Sequence, residues 1–94
     1  MTNTTAFDVA SYLETDEDIR AFLSTAAEDG SSEHLIYCLG IAARARGMTQ
    51  VANEAGVTRA SLYKSLSSNA NPKLETITKL LGVFGCKLKI TPID

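Results

Sequence analysis

The stretch "MTQVANEAGVTRASLYKSL", Met48 to Leu66, sets two short helical patterns on either side of a single glycine. Ala52, Gly56 and Leu62 fall in the spacing A-x3-G-x5-L, with apolar Val51, Ala55 and Val57 beside them. Two helices meeting at a tight turn need a small residue where they approach most closely. They also need a glycine that accepts positive φ, and a later branched apolar residue that anchors the second helix. Val51, Ala52 and Ala55 are therefore expected to face inward from the first helix, with Val57 and Leu62 holding the second.

In such a helix-turn-helix, Thr58 becomes the N-cap of the second helix, and Arg59 and Ala60 project from the end that enters a DNA major groove. Tyr63, one turn further on, and Lys64 extend the same exposed face. An arginine pairs in a bidentate manner with a guanine edge, whereas a lysine is suited to phosphate, so Arg59 is the expected base reader and Lys64 the expected backbone contact. Thr49 and Gln50, at the start of the first helix, are placed to bond to the DNA backbone and to the second helix.

Working outward, the helix before this stretch is expected to run from a Ser31 or Ser32 cap to Gly47. It turns Leu35, Ile36, Leu39, Ala42 and Ala43 inward and carries Arg44 and Arg46 in its last turn. Upstream, "TDEDIRAFLSTAAEDG" starts on Thr15 as N-cap, places acids in the first turn and closes on Gly30, with Ile19, Phe22, Leu23, Ala26 and Ala27 as its apolar stripe. Asp8 caps a further short turn, "DVASYL", whose Val9, Tyr12 and Leu13 share one side. Tyr12 and Phe22 stand out as aromatics suited to an interface.

Downstream, "SSNANP" reads as a loop, because Asn, Ser and Pro favour turns and Pro72 disfavours helix at Asn71. A last helix is expected from about Lys73 to Phe84 on Leu74, Ile77, Leu80, Leu81 and Phe84, ended by Gly85. "CKLKIT" then alternates Cys86, Leu88 and Ile90 with Lys87, Lys89 and Thr91, the period of a half-buried strand, until Pro92. A lone strand must pair with a second subunit's copy, a partner's sheet or an N-terminal segment of its own chain. Lys87 and Lys89 are also what edge protection looks like.

The expected fold is thus all-α: a compact domain of five to six helices with a short C-terminal strand. An acidic helical segment, residues 1–30, precedes the helix-turn-helix part, residues 31–94. At 94 residues the chain is near the lower end of what buries a self-sufficient core. Its 45% hydrophobic and 21% charged content is that of an ordinary soluble protein. No apolar run approaches the roughly 18 residues of a membrane span, and "MTNTTAFDVA" lacks the regions of a signal peptide, so a cytoplasmic location is expected.

The net charge of −2 conceals a partition. Residues 1–33 hold eight acids against Arg20 alone, a balance of −7, and residues 34–94 hold eight bases against Glu54, Glu75 and Asp94, a balance of +5. The two parts suit different neighbours: the basic part a polyanion, the acidic part either solvent or a basic protein. Cys38 and Cys86 form no C-x-x-C pair and His34 is the sole histidine, so a classical zinc site lacks ligands and no metal or cofactor is expected. No nucleophile signature, paired histidine or phosphate-cradling glycine loop is present, which argues against an enzyme.

The run "ARARGMTQVANEAGVTRASLYKSLSSNANPKLETITKLLGVFGCKLKI" resembles the C-terminal part of the addiction-module antidote proteins, HigA-like antitoxins with a lambda-repressor-type (XRE) helix-turn-helix. "FDVASYLETDEDIRAFLSTAAEDG" is similar to that family's short N-terminal segment. The resemblance implies a homodimeric repressor that binds a palindromic operator in double-stranded DNA at its own promoter. It also implies neutralisation of a co-expressed RelE/HigB-like toxin, a small basic ribonuclease acting on messenger RNA. By position it assigns DNA reading to Gln50, Thr58, Arg59, Ala60, Tyr63 and Lys64, and it leaves Cys86, Leu88 and Ile90 as a strand for dimer or partner. Ser65 departs from the pattern, standing where many such motifs have an apolar residue, and Leu66 is expected to take over that packing. Two other readings compete: a stand-alone or phage-type regulator without a toxin, and a protein-interaction module that does not bind DNA.

Overall fold

Thr15 starts the first helix, α1 (Asp16–Glu28), through a reciprocal cap. The Asp18 N–H donates to Thr15 Oγ1 at 3.0 Å while Asp18 Oδ2 accepts from the Thr15 and Glu14 N–H groups at 3.1 Å. Free N–H donors of the first turn are thereby satisfied, and a negative charge sits at the positive end of the helix dipole. The backbone N–H of Thr15, then the Thr15 hydroxyl, hold the Asp18 carboxyl below its ordinary value against a smaller desolvation, and the Glu14 N–H adds to the effect. The computed structural model describes residues 9–28 and 30–93. The Asp8 cap lies outside the described residues; Val9 and Ala10 are helical and lead into a turn closed by the Tyr12 N–H on the Val9 carbonyl.

Ser31 caps α2 (Ser32–Arg46), its hydroxyl accepting from the His34 N–H at 3.2 Å. Gly47 is the only residue between α2 and α3 (Met48–Ala55). α4 (Arg59–Ser65) and α5 (Leu74–Val83) complete the five helices that follow Thr15, and there is no strand among the described residues. α1 packs on α2, and α3 lies against α2, α4 and α5, so the short central helix is in contact with most of the domain.

Ile19 and Leu23 of α1, Leu39 and Ala42 of α2, Val51 and Ala52 of α3, Leu62 of α4 and Leu80 of α5 meet in one core. Phe84, 1% exposed, is the largest side chain buried there. Burying a side chain of this kind contributes about 1.5–3 kcal/mol each, which offsets the entropy of ordering helices too short to persist alone. The Cα radius of gyration is 12.9 Å, that of a compact chain.

Two expectations about packing need correction. Leu74, assigned to the inner stripe of the last helix, is 67% exposed. It is the first residue of α5, with Lys73 as N-cap, and the core is reached only one turn later, at Ile77. Ala27, one turn before Gly30, is exposed as well. Leu66, in contrast, is buried and does take over the packing that half-buried Ser65 does not provide.

Residues 86–93 form neither helix nor ladder. The Cys86 N–H still bonds to the Leu81 carbonyl at 2.8 Å, and no hydrogen bond joins the backbone of residues 87–93 to the other described residues. A strand exists only where a neighbour supplies the ladder, and the described part of this chain offers no second strand. No described helix is long and apolar enough to cross a membrane.

Candidate nucleic-acid interface

α3 and α4 are set against each other by the residues between them. Gly56 adopts φ 75 and ψ 32, the left-handed conformation, and its N–H bonds back to the Ala52 and Asn53 carbonyls. The Val57 N–H reaches the Ala52 carbonyl at 3.0 Å. This closure occupies carbonyls that the end of α3 would otherwise leave free, and it turns the chain within three residues. Val57 packs half-buried on the core, and Thr58 caps α4, its hydroxyl accepting from the Ser61 N–H at 3.0 Å.

The inward set is as the spacing requires, with Val51, Ala52 and Leu62 buried and Ala55 half-buried beside them. The outward set is equally clear. Thr49, Gln50, Thr58, Arg59, Ala60, Tyr63 and Lys64 are all exposed.

Four of these side chains differ in how they are held. The Arg59 guanidinium lies over the Tyr63 ring, 5.1 Å from its centroid, and donates to the Tyr63 hydroxyl at 3.2 Å. These are i,i+4 neighbours, so one helical turn gives both the stacking and the hydrogen bond. The stack restricts the long arginine while leaving other guanidinium N–H groups for an acceptor. Lys64 has no hydrogen-bond or ion-pair partner for its ammonium among the described residues. Gln50 does not reach α4: its amide nitrogen donates to Glu54 Oε2 at 3.0 Å, one turn along the same helix.

Glu54 belongs to a network that the sequence reading did not anticipate. Arg46 donates to Glu54 Oε1 at 3.3 Å and to Asp16 Oδ1 at 2.8 Å, and its guanidinium stands 5.9 Å from the centroid of the Phe84 ring. It joins the start of α1 to α3 across the end of α2, so Arg46 is a structural cation rather than a free one. The Gln50–Glu54 half follows i,i+4 spacing and was legible in the sequence; the Arg46–Asp16 half spans thirty positions and carried no local signal. Arg44, exposed at the same end of α2, makes no ion pair with the described residues.

This surface presents acceptor-seeking groups, the stacked Arg59 and the unpaired Lys64, on a helix of seven residues whose opposite side is locked in the core. Chemically it suits an anion with fixed geometry. Among the described residues no group of three or more His, Cys, Asp or Glu is placed to hold a metal ion. His34 Nε2 lies 3.6 Å from Cys38 Sγ, one turn apart on α2 and away from α3 and α4 in the sequence. Of the residues assigned to a partner strand, Cys86 is half-buried, Leu88 is 45% exposed and Ile90 is 97% exposed.

Comparison with known proteins adds to this geometry. Residues 3–92 match the model of a family described as "probable addiction module antidote protein". The chain is 36% identical over 84 residues to an uncharacterized protein of Haemophilus influenzae, the match covering 89% of this chain and 87% of that one. No solved structure matches it.

Proposed function

The chain belongs to the family of probable addiction module antidote proteins, and from that membership we propose that it is a dimeric, sequence-specific DNA-binding repressor serving as the antitoxin of a toxin pair. In this reading α3 and α4 form a lambda-repressor-type (XRE, HigA-like) helix-turn-helix. α4 enters the major groove, with Arg59 on a guanine edge, Lys64 and Thr49 on phosphates, and Gln50, Thr58, Ala60 and Tyr63 completing the contact. A two-fold dimer reads a palindromic operator at its own promoter, with half-sites one helical turn, about 34 Å, apart.

The observation that carries the reading is the outer face of α4, where Arg59 is stacked and hydrogen-bonded on Tyr63 and Lys64 stands unpaired. An internal packing helix has no use for a preorganised guanidinium aimed at solvent. The second partner is a RelE/HigB-like, basic, messenger-cleaving toxin, for which the acids at the start of α1 offer the complementary charge.

The test is a fluorescence-anisotropy titration of the protein on its own upstream DNA and on a scrambled sequence, at two salt concentrations. Selective binding with a steep salt slope is expected. Equal, weak binding to both would return α3 and α4 to a packing role and leave a protein-interaction module. Co-purification with the basic product of an adjacent short reading frame tests the toxin half; its absence would leave a stand-alone regulator.

A further inference from the structure

Arg44 and Arg46 share the last turn of α2, and the fold treats them differently. Arg46 is held by Asp16 and Glu54. Arg44 is exposed and forms no ion pair with the described residues, yet packing defines where its guanidinium lies. Its Nη1 is 3.1 Å from the point that a Cβ on Gly40 would occupy, and Leu66 borders the same point with its Cβ at 3.9 Å and its carbonyl oxygen at 4.0 Å. Gly40 is buried in the interior of α2 and has no positive φ, so no turn requires it. A glycine there weakens the helix relative to alanine. What it supplies is a notch where α2 meets the end of α4. Arg44, four residues on and pointing back along the helix, lies across that notch.

Leu66 is the C-cap of α4, two residues after Lys64, whose carbonyl accepts from the Ser67 hydroxyl at 2.9 Å. Arg44 is thereby placed at the C-terminal end of α4, whereas Arg59 is the first residue of that helix. A seven-residue helix is about 10 Å long, close to the roughly 12 Å width of a major groove. With Arg59 at the base edges, a cation at the other end of α4 stands at the border of the groove, where the sugar-phosphate backbone runs. Acids do not compete for it: residues 55–74 contain no Asp or Glu, Glu75 is within 3.9 Å of Lys79, and Asp16 and Glu54 are taken by Arg46.

We infer that Arg44 is a further DNA-contacting residue, a phosphate clamp seated on Gly40 at the end of α4. The inference rests on the DNA-binding reading above and extends its footprint from α3 and α4 to α2. The last carbonyls of α4 carry partial negative charge, which repels a phosphate at this end unless a cation stands between them. Arginine suits the task, because its planar fork matches two phosphate oxygens at once. Lying across the glycine also restricts the side chain before binding, so less freedom is lost on contact.

The experiment compares the parent, Arg44→Ala, Arg44→Lys and Arg20→Ala in anisotropy titrations between about 50 and 200 mM salt. Arg20→Ala removes the same charge from α1, where Arg20 is exposed beside Gly85, and so controls for net charge. Losing one phosphate contact lowers the slope of log K against log salt by about 0.9, so the deficit of Arg44→Ala should be about 3–4-fold larger at the lower salt than at the higher. Arg44→Lys is expected to restore the slope and part of the affinity, and Arg20→Ala to keep the slope of the parent. Tm and helical circular dichroism of Arg44→Ala should match the parent, since the side chain is exposed. A scan of single methylphosphonate substitutions, each neutralising one phosphate of the bound DNA, should then contain one position that weakens the parent, leaves Arg44→Ala unaffected and still weakens Lys64→Ala.

An unchanged slope in Arg44→Ala, or a scan with no such position, would overturn the clamp and leave the DNA-binding reading standing. A fall in Tm with an unchanged slope would make Arg44 a helix-end charge that serves stability alone. An equal loss of slope in Arg20→Ala would assign the effect to net charge and overturn the clamp as well. Equal, weak binding of the parent to its own upstream DNA and to scrambled DNA would overturn the DNA-binding reading itself, and the clamp with it.

Discussion

Replacing Gly56 by alanine isolates the energy of one backbone conformation. Gly56 has φ +75, and a Cβ built on it meets no heavy atom within 4 Å, so sterics with the rest of the domain contribute nothing. The cost is the intrinsic one of an L-residue in the left-handed region, about 1–2 kcal/mol. Alanine also restricts the unfolded chain, which returns about 0.4–1 kcal/mol, leaving a net destabilisation of roughly 1 kcal/mol. In a domain of this size that is a fall in Tm of about 4–8 °C. Gly82 provides the control: it lies within α5, has no positive φ, and its added Cβ also meets nothing within 4 Å. Gly82→Ala therefore gains helix propensity and stabilises by about 0.5–1 kcal/mol. Urea titrations of the two variants should separate by close to 2 kcal/mol, summing these opposed terms. Gly56→Asn should fall between Gly56→Ala and the parent, since asparagine enters the left-handed region more readily. If Gly56→Ala is as stable as the parent, the left-handed turn is not what fixes α3 against α4, and the reasoning fails. Operator affinity should follow the same order, with Gly56→Asn retaining more than Gly56→Ala.

Arg59→Ala should cost about 1–3 kcal/mol of operator binding and relax preference at one base pair, whereas Tyr63→Phe, which keeps the ring and removes the hydroxyl, should cost less; a base-substituted operator series reads both. Lys64→Ala should weaken specific and scrambled DNA alike and reduce the salt slope by about one phosphate contact, and an unchanged slope would remove it from the backbone set. Asp18 has its carboxyl pKa lowered by folding, so its contribution to stability is present above the unfolded value, about 3.9, and is lost as pH falls through the lower folded value. Denaturation curves from pH 6 to pH 2 should show that loss in the parent and a smaller acid dependence in Asp18→Asn.

Caps and turns were legible in the sequence because they are local. Thr15, Ser31 and Thr58 each accept from an N–H three residues on, a distance fixed by helix geometry alone. Gly56 announces itself for the same reason, and Leu66 was identifiable as the substitute for Ser65 by its place one turn after Leu62. The seven outward residues from Thr49 to Lys64 follow from the inward ones: Thr49 and Gln50 lie off the side of α3 that Val51 and Ala52 bury, and the others lie at the cap or on the free side of a short helix anchored on Leu62. Leu74 was misplaced because an apolar residue at a helix start carries the same periodic signal whether or not the neighbouring elements extend far enough to cover it.

What the sequence by itself determined is therefore the identity of the helices, their ends, and which side of α3 and α4 faces out, all consequences of contacts within about five residues. The tertiary structure alone decided which cations are free. Arg46 and Arg44 are indistinguishable in the sequence, both basic in the last turn of α2, yet Arg46 is taken by Asp16 and Glu54 from two other helices while Arg44 forms no ion pair with the described residues. Such pairings depend on how helices pack at thirty residues' separation, and hydrophobic periodicity carries no record of that distance. For residues 87–93 the same physics goes one step further. A ladder needs a second backbone, and the described residues of one chain supply none.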